Sequence, residues 1–407
     1  MQGIPPRELR VVALVTLLQF INIMDFMMVM PLGPDFALAL GMDVSNIGIV
    51  AGAYTLMAAV VALFGAHYLD RFDRRPALTI AIAGLSVSTL AAAFAWDLYS
   101  LVAARMAAGM FGGPATSLAM SALIDVVPAA RRGRAMAIVL TSFSAASVLG
   151  VPFGLELARW FSWQAPFVLV GSAGLVLTVL AYFTLPALRE HLDGPPVTDT
   201  LLRFVARPIV RESMVIISLA MFGAFLLIPH LSTYFQFNMH YPRERIGLLY
   251  LVGGAVSFVV MQIAGRTIDR FGSVATAWVG CAILGLVLLG QFMLELAWPA
   301  LLVFVMFMAG MAVRGVSAQA LLSHVPEPAR RASFMSLQSA TQHFSSGSAA
   351  VVSAWMLYER PDTSLGNVPL LAGLCFICIL LAPVMMGRVQ KKLHAREKAE
   401  AAALSAA

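Results

Sequence analysis

The stretch LDRFDRR at residues 69–75 has a second copy, IDRFGSV, at residues 268–274. The aspartates of the two copies, Asp70 and Asp269, are 199 positions apart. A second pair, VPAARRGRA at 127–135 and VPEPARRAS at 325–333, repeats at an offset of 198. Two matches at nearly the same offset indicate an internal repeat of about half the chain, so the fold is expected to consist of two similar halves.

The composition of the chain is that of an integral membrane protein. Hydrophobic residues make up 60% of the 407 residues, charged residues make up 12%, and the mean hydropathy is +0.85. Soluble domains contain about 45–50% apolar and about 25% charged residues. The net charge of +6 lies in short segments between apolar stretches, which argues against a nucleic-acid partner and for the lipid bilayer as the surrounding medium.

Apolar stretches of about 20 residues predict twelve membrane-spanning helices. The first carries no cleavage site and is expected to be retained. A polar linker at 189–208 separates a six-helix half at 1–188 from a second at 209–390, and a tail follows at 391–407. The predicted spans are residues 9–34, 45–67, 76–95, 98–124, 135–158, 163–186, 209–237, 244–265, 273–294, 297–323, 332–357 and 366–387.

The basic residues predict the orientation of these spans. An even number of spans puts both termini on one side. Of the 27 lysines and arginines, 21 lie on that side, four lie on the opposite side and two lie within helices. By the positive-inside rule both termini are expected in the cytoplasm. Both copies of the repeat follow an even number of spans, so the halves are parallel repeats with a substrate site expected between them at mid-membrane.

With these motifs the chain resembles the major facilitator superfamily, and most of all its twelve-helix drug:proton antiporter branch, which includes bacterial sugar and drug efflux permeases. The superfamily signature G-x-L-A-D-R-x-G-R-R stands here as AHYLDRFDRR, residues 66–75, with Ala66 and Asp73 at the glycine positions. The second copy keeps Gly265 and Gly272 but has Ser273 in place of an arginine. The resemblance implies an all-α membrane fold of two pseudo-twofold six-helix bundles, acting as a monomer in the bacterial inner membrane without a cofactor.

Charged residues of both signs gather at the predicted cytoplasmic ends of the helices. Such a cluster can latch the two halves together in an outward-facing state and release them when the protein opens inward. Alternatively, the arginines only fix the topology. The cluster consists of Asp70, Arg71, Arg74, Arg75 and Asp125 in the first half, with Asp269 and Arg270 in the second.

The stretch SVLGVPFG at residues 147–154 resembles the glycine-proline antiporter motif of exporters in this superfamily. Gly150 and Gly154 permit close approach of another helix, and Pro152 removes a backbone hydrogen bond and bends its own helix. The corresponding segment of the second half, which starts at Ser345, contains no proline. The resemblance implies export, although helix packing alone is an alternative role for these residues.

A single carboxylate, Asp25, interrupts the apolar run NIMDFMMVM at residues 22–30. At mid-bilayer it costs roughly 2.5–3.5 kcal/mol, so it requires a partner, a proton or water. The stretch ARMAAG at 104–109 resembles the arginine motif of the fourth helix, which makes Arg105 the candidate partner. At 1.5 Å per residue, Asp25 is placed about 12–15 Å and Arg105 roughly 9–12 Å below the outer ends of their helices.

This pair is the candidate for proton coupling, since burial favours the neutral acid and a guanidinium favours the carboxylate. A static buried ion pair is the alternative. Further polar or adaptable residues within the spans are candidates to line a substrate cavity, with interhelical hydrogen bonding or packing as their alternative roles, and the first two extend a polar strip expected beside a wet cavity. They are Gln19, Asn22, Met28, His230, Tyr234, Arg314, Gln338, Gln342 and His343.

These observations favour a proton-coupled secondary active exporter of an amphipathic or weakly polar small molecule, working by alternating access and driven by the proton gradient. An importer or symporter of the same fold is the first alternative. A channel would need a pore ring, and an enzyme would need a clustered catalytic set, but the sequence has no H-E-x-x-H, G-x-S-x-G or P-loop motif. The C-x-x-C pair Cys375 and Cys378 lies in an apolar run without further ligands, so no metal site is expected.

Overall fold

The computed structural model describes residues 5–69, 73–185, 205–326 and 331–406. It is all-α apart from one short hairpin, as the sequence predicted. The membrane helices of the first half are α1 (Pro6–Met28), α2 (Ile47–Leu69), α3 (Arg74–Ala93), α4 (Leu98–Val126), α5 (Ala129–Ala145, continuing as Val151–Trp160) and α6 (Ala165–Thr184). Those of the second half are α7 (Pro208–Phe225), α8 (Ile246–Phe271), α9 (Ser273–Val287), α10 (Ala300–Leu322), α11 (Arg331–Met356) and α12 (Val368–Ala406).

Eleven helical segments among the described residues are long and apolar enough to span a membrane. The helix outside that set is α11, whose length is sufficient but which carries Gln338, Gln342, His343 and several serines. This helix packs extensively against α2 of the other half. Because protein rather than lipid covers much of it, α11 tolerates more polar residues than a lipid-facing helix.

The first helix of each half is broken near the end that lies away from the chain termini. Helix α1 stops at Met28 and resumes as a short helix, Gly33–Leu40, which corrects the continuous span predicted at 9–34. Helix α7 stops at Phe225 and continues through short 3-10, α and π turns to Asn238, so the segment matches the span predicted at 209–237 but is irregular in its last part. Pro31 and Pro229 occupy equivalent positions of the repeat. A proline lacks the backbone N–H and obstructs the preceding turn, which accounts for both breaks.

Two further boundaries differ from the sequence prediction. Helix α5 contains a π-helical turn, Ala146–Gly150, just before Pro152, where the missing N–H of the proline disturbs the regular ladder. Helix α12 extends to Ala406, so the described part of the segment expected as a tail continues this helix through alanine, lysine and glutamate, which are strong helix formers. Of the predicted linker, residues 189–204 lie outside the described residues.

The two halves contact each other through α2 with α11 and through α5 with α8. Glycines allow this approach, because a Cβ on Gly52 would lie 2.8 Å from Val351 and one on Gly347 would lie 2.7 Å from Thr55. Helices α1 and α7 also meet just before their breaks, where the rings of Phe26 and Phe225 have centroids 6.1 Å apart.

Polar links join the halves at the face opposite the chain termini. Arg243 donates to both carboxylate oxygens of Asp35, at 2.7 Å from its Nε to Oδ1 and 2.7 Å from its Nη2 to Oδ2. The Ser232 hydroxyl donates to the carbonyl oxygen of Pro31 at 3.0 Å.

A third link comes from the hairpin between α11 and α12, in which β1 (Tyr358–Glu359) pairs antiparallel with β2 (Leu365–Gly366). Its Glu359 accepts a hydrogen bond from the backbone N–H of Val44 at 2.8 Å. The described ion pairs near the termini, such as Arg131 with Glu8, stay within one half. The structure is therefore closed at the face opposite the termini.

Candidate functional site

Asp25 and Arg105 form a buried ion pair inside the first half. Arg105 Nη1 lies 2.8 Å from Asp25 Oδ1, and the two side chains are 1% and 0% exposed. The start of α4 is fixed by a capping box in which Asp97 accepts from the backbone N–H of Ser100. Arg105 follows eight residues later, about 12 Å along the helix. Asp25 and Arg105 therefore lie at a common depth, as expected from the sequence.

Further groups complete the surroundings of this pair. The Thr89 hydroxyl of α3 lies 2.7 Å from Asp25 Oδ1. The guanidinium of Arg105 lies over the ring of Tyr54 of α2, 4.8 Å from its centroid, and Arg105 Nη2 lies 3.4 Å from the Asp25 backbone carbonyl oxygen. Asp25 Oδ2 and Arg105 Nε have no hydrogen-bond partner among the described residues. The site is therefore electrostatically paired but has unused hydrogen-bonding capacity.

Asn22 links the pair to the surface of α4. The Tyr54 hydroxyl donates to Asn22 Oδ1 at 3.0 Å, and Asn22 Nδ2 donates to the Gly112 carbonyl at 2.9 Å and to the Thr116 hydroxyl at 2.6 Å. Thr116 is exposed, whereas the other side chains of this network are buried. The sequence reading missed Tyr54, Thr89 and Thr116. The available signal was weak, since each is one hydroxyl in an apolar span.

The polar strip of α1, which is expected beside a wet cavity, is buried in this structure. Gln19, Asn22 and Asp25 are 8%, 6% and 0% exposed. In this conformation Asn22 and Asp25 face α2, α3 and α4 of their own half and bond to protein groups there, apart from Asp25 Oδ2, which has no partner among the described residues. Met28 is also buried, at 1% exposed, and packs in the hydrophobic core.

The antiporter motif contacts both halves. A Cβ on Gly150 would lie 2.1 Å from the sulfur of Met24, so this glycine admits α1, whereas Gly154 has only ordinary contacts near 4 Å. The approach of α5 to α8 is close at Gly254 of α8, which the sequence reading did not single out. A Cβ on Gly254 would lie 3.3 Å from the Ser147 carbonyl, whereas one on Gly247 would lie 3.8 Å from the Pro152 carbonyl, an ordinary contact.

His230 and Tyr234 of the broken part of α7 lie in the closed interface and the second half. His230 Nε2 is within hydrogen-bond distance of the Ser353 hydroxyl, at 2.9 Å, and faces Gly48 of the first half. The Tyr234 hydroxyl donates to the Gln291 carbonyl at 3.2 Å. Both candidates are buried and are engaged in bonds between helices in this conformation.

Arg314 of α10 is buried like Arg105, at 2% exposed, but has no carboxylate partner among the described residues. Its Nη2 donates to the Ala220 carbonyl at 2.9 Å and lies 3.2 Å from the sulfur of Met311. Its Nε and Nη1 atoms have no partner in the described chain.

The three candidates of α11 do not converge on the Asp25 site. Gln338 is buried and donates to the side chain of Gln319 at 2.8 Å. Gln342 and His343 are partly buried.

The charged cluster near the termini is partly described. Arg74 Nη1 lies 2.5 Å from Asp125 Oδ2. Arg75 donates to the Tyr182 carbonyl and lies over the Tyr182 ring, so both arginines bond within the first half. Asp269 and Arg270 are exposed on the second half. Asp70 and Arg71 lie outside the described residues.

A cavity of about 480 Å³ lies at the face opposite the termini, in the second half. Aromatic and charged side chains line it, among them Tyr234, Trp298, Glu295 and Asp362. Its volume is in the range of small-molecule pockets. No group of histidine, cysteine or acidic side chains suited to a metal ion is found in the part of the chain that the structure describes.

Known proteins resemble this chain in sequence and in fold. The family model described as Major Facilitator Superfamily matches residues 15–350. A probable sugar efflux transporter of Helicobacter acinonychis (strain Sheeba) is 23% identical over 289 residues, 70% of this chain and 72% of that protein. A chloramphenicol resistance protein of Streptomyces lividans is 27% identical over 271 residues, 66% of each chain.

Two solved structures share the fold. The inward-facing, occupied structure of a bacterial homologue of the human lysosomal transporter Spinster superposes with a TM-score of 0.73 at 15% identity, covering 96% of this chain and 98% of that one. A D-xylose-proton symporter superposes with a TM-score of 0.72 at 16% identity, covering 93% and 97%. At these identities the likeness concerns the fold alone.

Proposed function

This chain belongs to the major facilitator superfamily of multi-pass membrane transporters, and we propose that it exports an amphipathic or weakly polar small molecule in exchange for protons. The observation that carries the proposal is the ion pair of Asp25 and Arg105, which is buried in the first half and has one carboxylate oxygen without a partner among the described residues. A buried charge of this kind is a functional candidate because it is costly to keep in a membrane.

The proposed cycle uses the two opposed influences on the carboxylate. Dehydration favours the protonated acid, and the guanidinium of Arg105 favours the ionised form. A change in hydration as the site opens to either side therefore decides whether Asp25 binds or loses a proton. A proton from outside neutralises Asp25 as substrate leaves, and exposure to the cytoplasm releases that proton as substrate binds.

The direction of transport rests on the motif in α5 and on the relatives. The Gly150 to Gly154 segment resembles the antiporter motif of exporters, and relatives are named for sugar efflux and for chloramphenicol resistance. An importer or symporter is the second candidate, because a proton symporter of D-xylose has the same fold.

The orientation that we propose puts both termini in the cytoplasm of a bacterial cell, with the protein in the inner membrane. The excess of lysine and arginine on the terminal side supports this orientation. The closed face with Asp35 and Arg243 is then the outer face, and the structure represents the inward-facing state of a monomeric transporter.

In this orientation the charged cluster at the terminal side is a cytoplasmic latch. Arg74 and Asp125 already pair within the first half. We propose that closure of the cytoplasmic side brings this cluster, with Asp70 and Arg71, against the second half. There Asp269 and Arg270 are exposed and available for contact.

The variant Asp25→Asn tests the proposed coupling. A growth screen with chloramphenicol and other amphipathic antibacterial compounds, with and without expression, first supplies a substrate. In proteoliposomes the variant should lose uphill transport driven by a proton gradient but retain downhill exchange, because an amide cannot exchange a proton.

Asp97→Asn is the matched control. It is the same change at a partly exposed helix cap, where asparagine caps as well as aspartate, and it should transport normally. Proton-driven accumulation by Asp25→Asn at the wild-type level would refute the role of Asp25. Accumulation inside the cell rather than export would establish the importer.

A further inference from the structure

The hydroxyl of Thr89 in α3 lies between two acceptors. Its Oγ1 is 2.7 Å from Asp25 Oδ1 and 2.8 Å from the carbonyl oxygen of Leu85, one turn earlier in the same helix. A hydroxyl has one hydrogen and two lone pairs, so it donates to only one of these oxygens at a time. Hydrogen bonds to an ionised acceptor are the stronger ones, so Thr89 donates to Asp25 while the carboxylate is charged.

The same distances suit the protonated acid without movement of any heavy atom. A proton on Asp25 Oδ1 is donated to Thr89 Oγ1, and the hydrogen of Thr89 turns to the Leu85 carbonyl. A proton on Oδ2 would have no acceptor, because that atom has no partner among the described residues. A buried group left without its hydrogen bond costs about 1–3 kcal/mol, so Oδ1, beside Thr89, is the favoured site of protonation.

Arg105 also has partners for both states. When Asp25 is ionised, Arg105 Nη1 donates to Oδ1 at 2.8 Å. When Asp25 is neutral, the guanidinium still has the ring of Tyr54, 4.8 Å from its centroid, and the Asp25 backbone carbonyl, 3.4 Å from Nη2. A cation over an aromatic face retains an attraction of about 0.5–2 kcal/mol. Arg105 therefore keeps favourable contacts when the carboxylate of Asp25 is neutralised.

Few other ionisable groups act on this carboxylate. In the described chain, the ionisable side chains that interact with Asp25 are Arg105 from α4 and Tyr54 from α2. Helices α5 and α6 also pack against α1, but their described ionisable residues lie near the helix ends, such as Arg131, which bonds Glu8. Thr89 and Arg105 are therefore the groups whose hydrogen bonds change when Asp25 is protonated.

We infer that Thr89 is a positioning residue of the coupling site, whose hydroxyl reverses its hydrogen bond as Asp25 gains or loses its proton. The inference rests on the proposed function of Asp25 and adds a residue that none of the motifs contains. The reversal keeps Asp25 Oδ1 hydrogen-bonded in both protonation states.

The test uses the full-length protein in liposomes and infrared difference spectra between acidic and alkaline pH. The band that Asp25→Asn abolishes belongs to the carboxyl group of Asp25. In Thr89→Val, which keeps the shape but lacks the hydroxyl, the midpoint of this band should move to higher pH by about one unit, because the hydrogen bond lost from the charged state is stronger than the one lost from the neutral state. Thr89→Ser should keep the wild-type midpoint.

Thr79→Val is the matched control, since within the described chain the Thr79 hydroxyl bonds only the Arg75 carbonyl in the same helix. A wild-type midpoint in Thr89→Val, or in Thr89→Ala if the valine variant fails to fold, would overturn the inference. So would a wild-type band at the frequency of a carboxylic acid that donates no hydrogen bond. Absence of any Asp25 titration would instead refute the proposed function itself.

Discussion

Two arginines, Arg105 and Arg314, are buried in the middle of membrane helices, and they differ in their partners. Arg105 has a carboxylate at 2.8 Å, whereas Arg314 has a backbone carbonyl and a thioether sulfur. Arginine stays protonated even when buried, so Arg105 forms an ion pair in the first half, whereas Arg314 in the second half is a cation without a carboxylate partner among the described residues. Arg105 and Arg314 do not occupy equivalent positions of the repeat, because Arg314 corresponds in position to Thr116.

Replacing each arginine by methionine should therefore have different effects. Arg105→Met leaves the carboxylate of Asp25 buried and unpaired, and removal of one partner of a buried pair costs about 3–5 kcal/mol. Arg314→Met leaves no charge behind and should change stability little or increase it. The measurement is the thermal unfolding temperature in detergent at neutral pH.

The pH dependence distinguishes this explanation from a loss of packing. In Arg105→Met a proton can neutralise Asp25, so the deficit should be largest at alkaline pH and should shrink as the pH falls. A deficit that does not depend on pH would point to packing alone. A larger loss in Arg314→Met than in Arg105→Met would contradict the view that Arg314 lacks a counter-charge.

At the level of elements, the contact of α4 with α2 places Tyr54 over Arg105. Gly109, one turn after Arg105, makes this contact possible, because a Cβ at this position would lie 2.1 Å from the Tyr54 carbonyl oxygen. The obstacle is backbone, which cannot move aside as the end of a flexible side chain can. The glycine of the fourth-helix motif therefore has a packing role that also supports the ion pair.

We expect Gly109→Ala to force α2 and α4 apart and to destabilise the protein by about 1–3 kcal/mol, the usual cost of overpacking. Gly113→Ala is the matched control on the same helix, since its Cβ would lie 3.5 Å from the Ala58 carbonyl, an ordinary contact. That change should be neutral or stabilising, because alanine favours helix by about 1 kcal/mol over glycine. Unfolding temperatures in detergent compare the two, and equal effects would contradict the assignment.

At the level of the whole molecule, closure of the face opposite the termini, which is the outer face in the proposed orientation, depends on links between the two broken helices and their neighbours. Asp35 follows the break in α1, and Arg243 follows the broken end of α7. The break in α1 also leaves the Pro31 carbonyl available to Ser232. The segments at and after the two breaks therefore provide two of the three polar links described between the halves, and these contacts must separate before this face can open.

Removing the ion pair should raise the outward-facing population. Arg243→Ala removes the bidentate contact with Asp35, and a loss of about 1 kcal/mol changes the ratio of states roughly fivefold. The readout is the rate at which a membrane-impermeant maleimide, added from outside, labels Ala51→Cys in the buried interface of α2. The labelling rate should rise in Arg243→Ala.

The control is Arg159→Ala, which breaks an ion pair with Glu156 at the same face but within one half and should leave the labelling rate unchanged. The exposed position Asp362→Cys should be labelled from outside in every background. An unchanged rate in Arg243→Ala would show that the ion pair does not hold the outer face. No labelling at Asp362→Cys would overturn the proposed orientation.

The sequence by itself determined the membrane location, the number of helices and the twofold repeat. These follow from the lengths of apolar segments and from local similarity, and neither depends on how the helices are arranged. It also pointed to the pairing of Asp25 with Arg105, because depth in a membrane helix follows from a fixed rise per residue. Pro31 and Pro229 are the sequence signals for the breaks in α1 and α7, but each segment was predicted as one uninterrupted span.

Only the tertiary structure decided which side chains surround that pair and which face of the molecule is closed. Thr89 and Tyr54 contact the pair because α2, α3 and α4 are rotated to face α1, and isolated hydroxyl groups in apolar spans do not encode that rotation. The link of Asp35 with Arg243 joins residues 208 positions apart in different halves. It depends on how two rigid bundles dock, and local sequence patterns do not specify that docking.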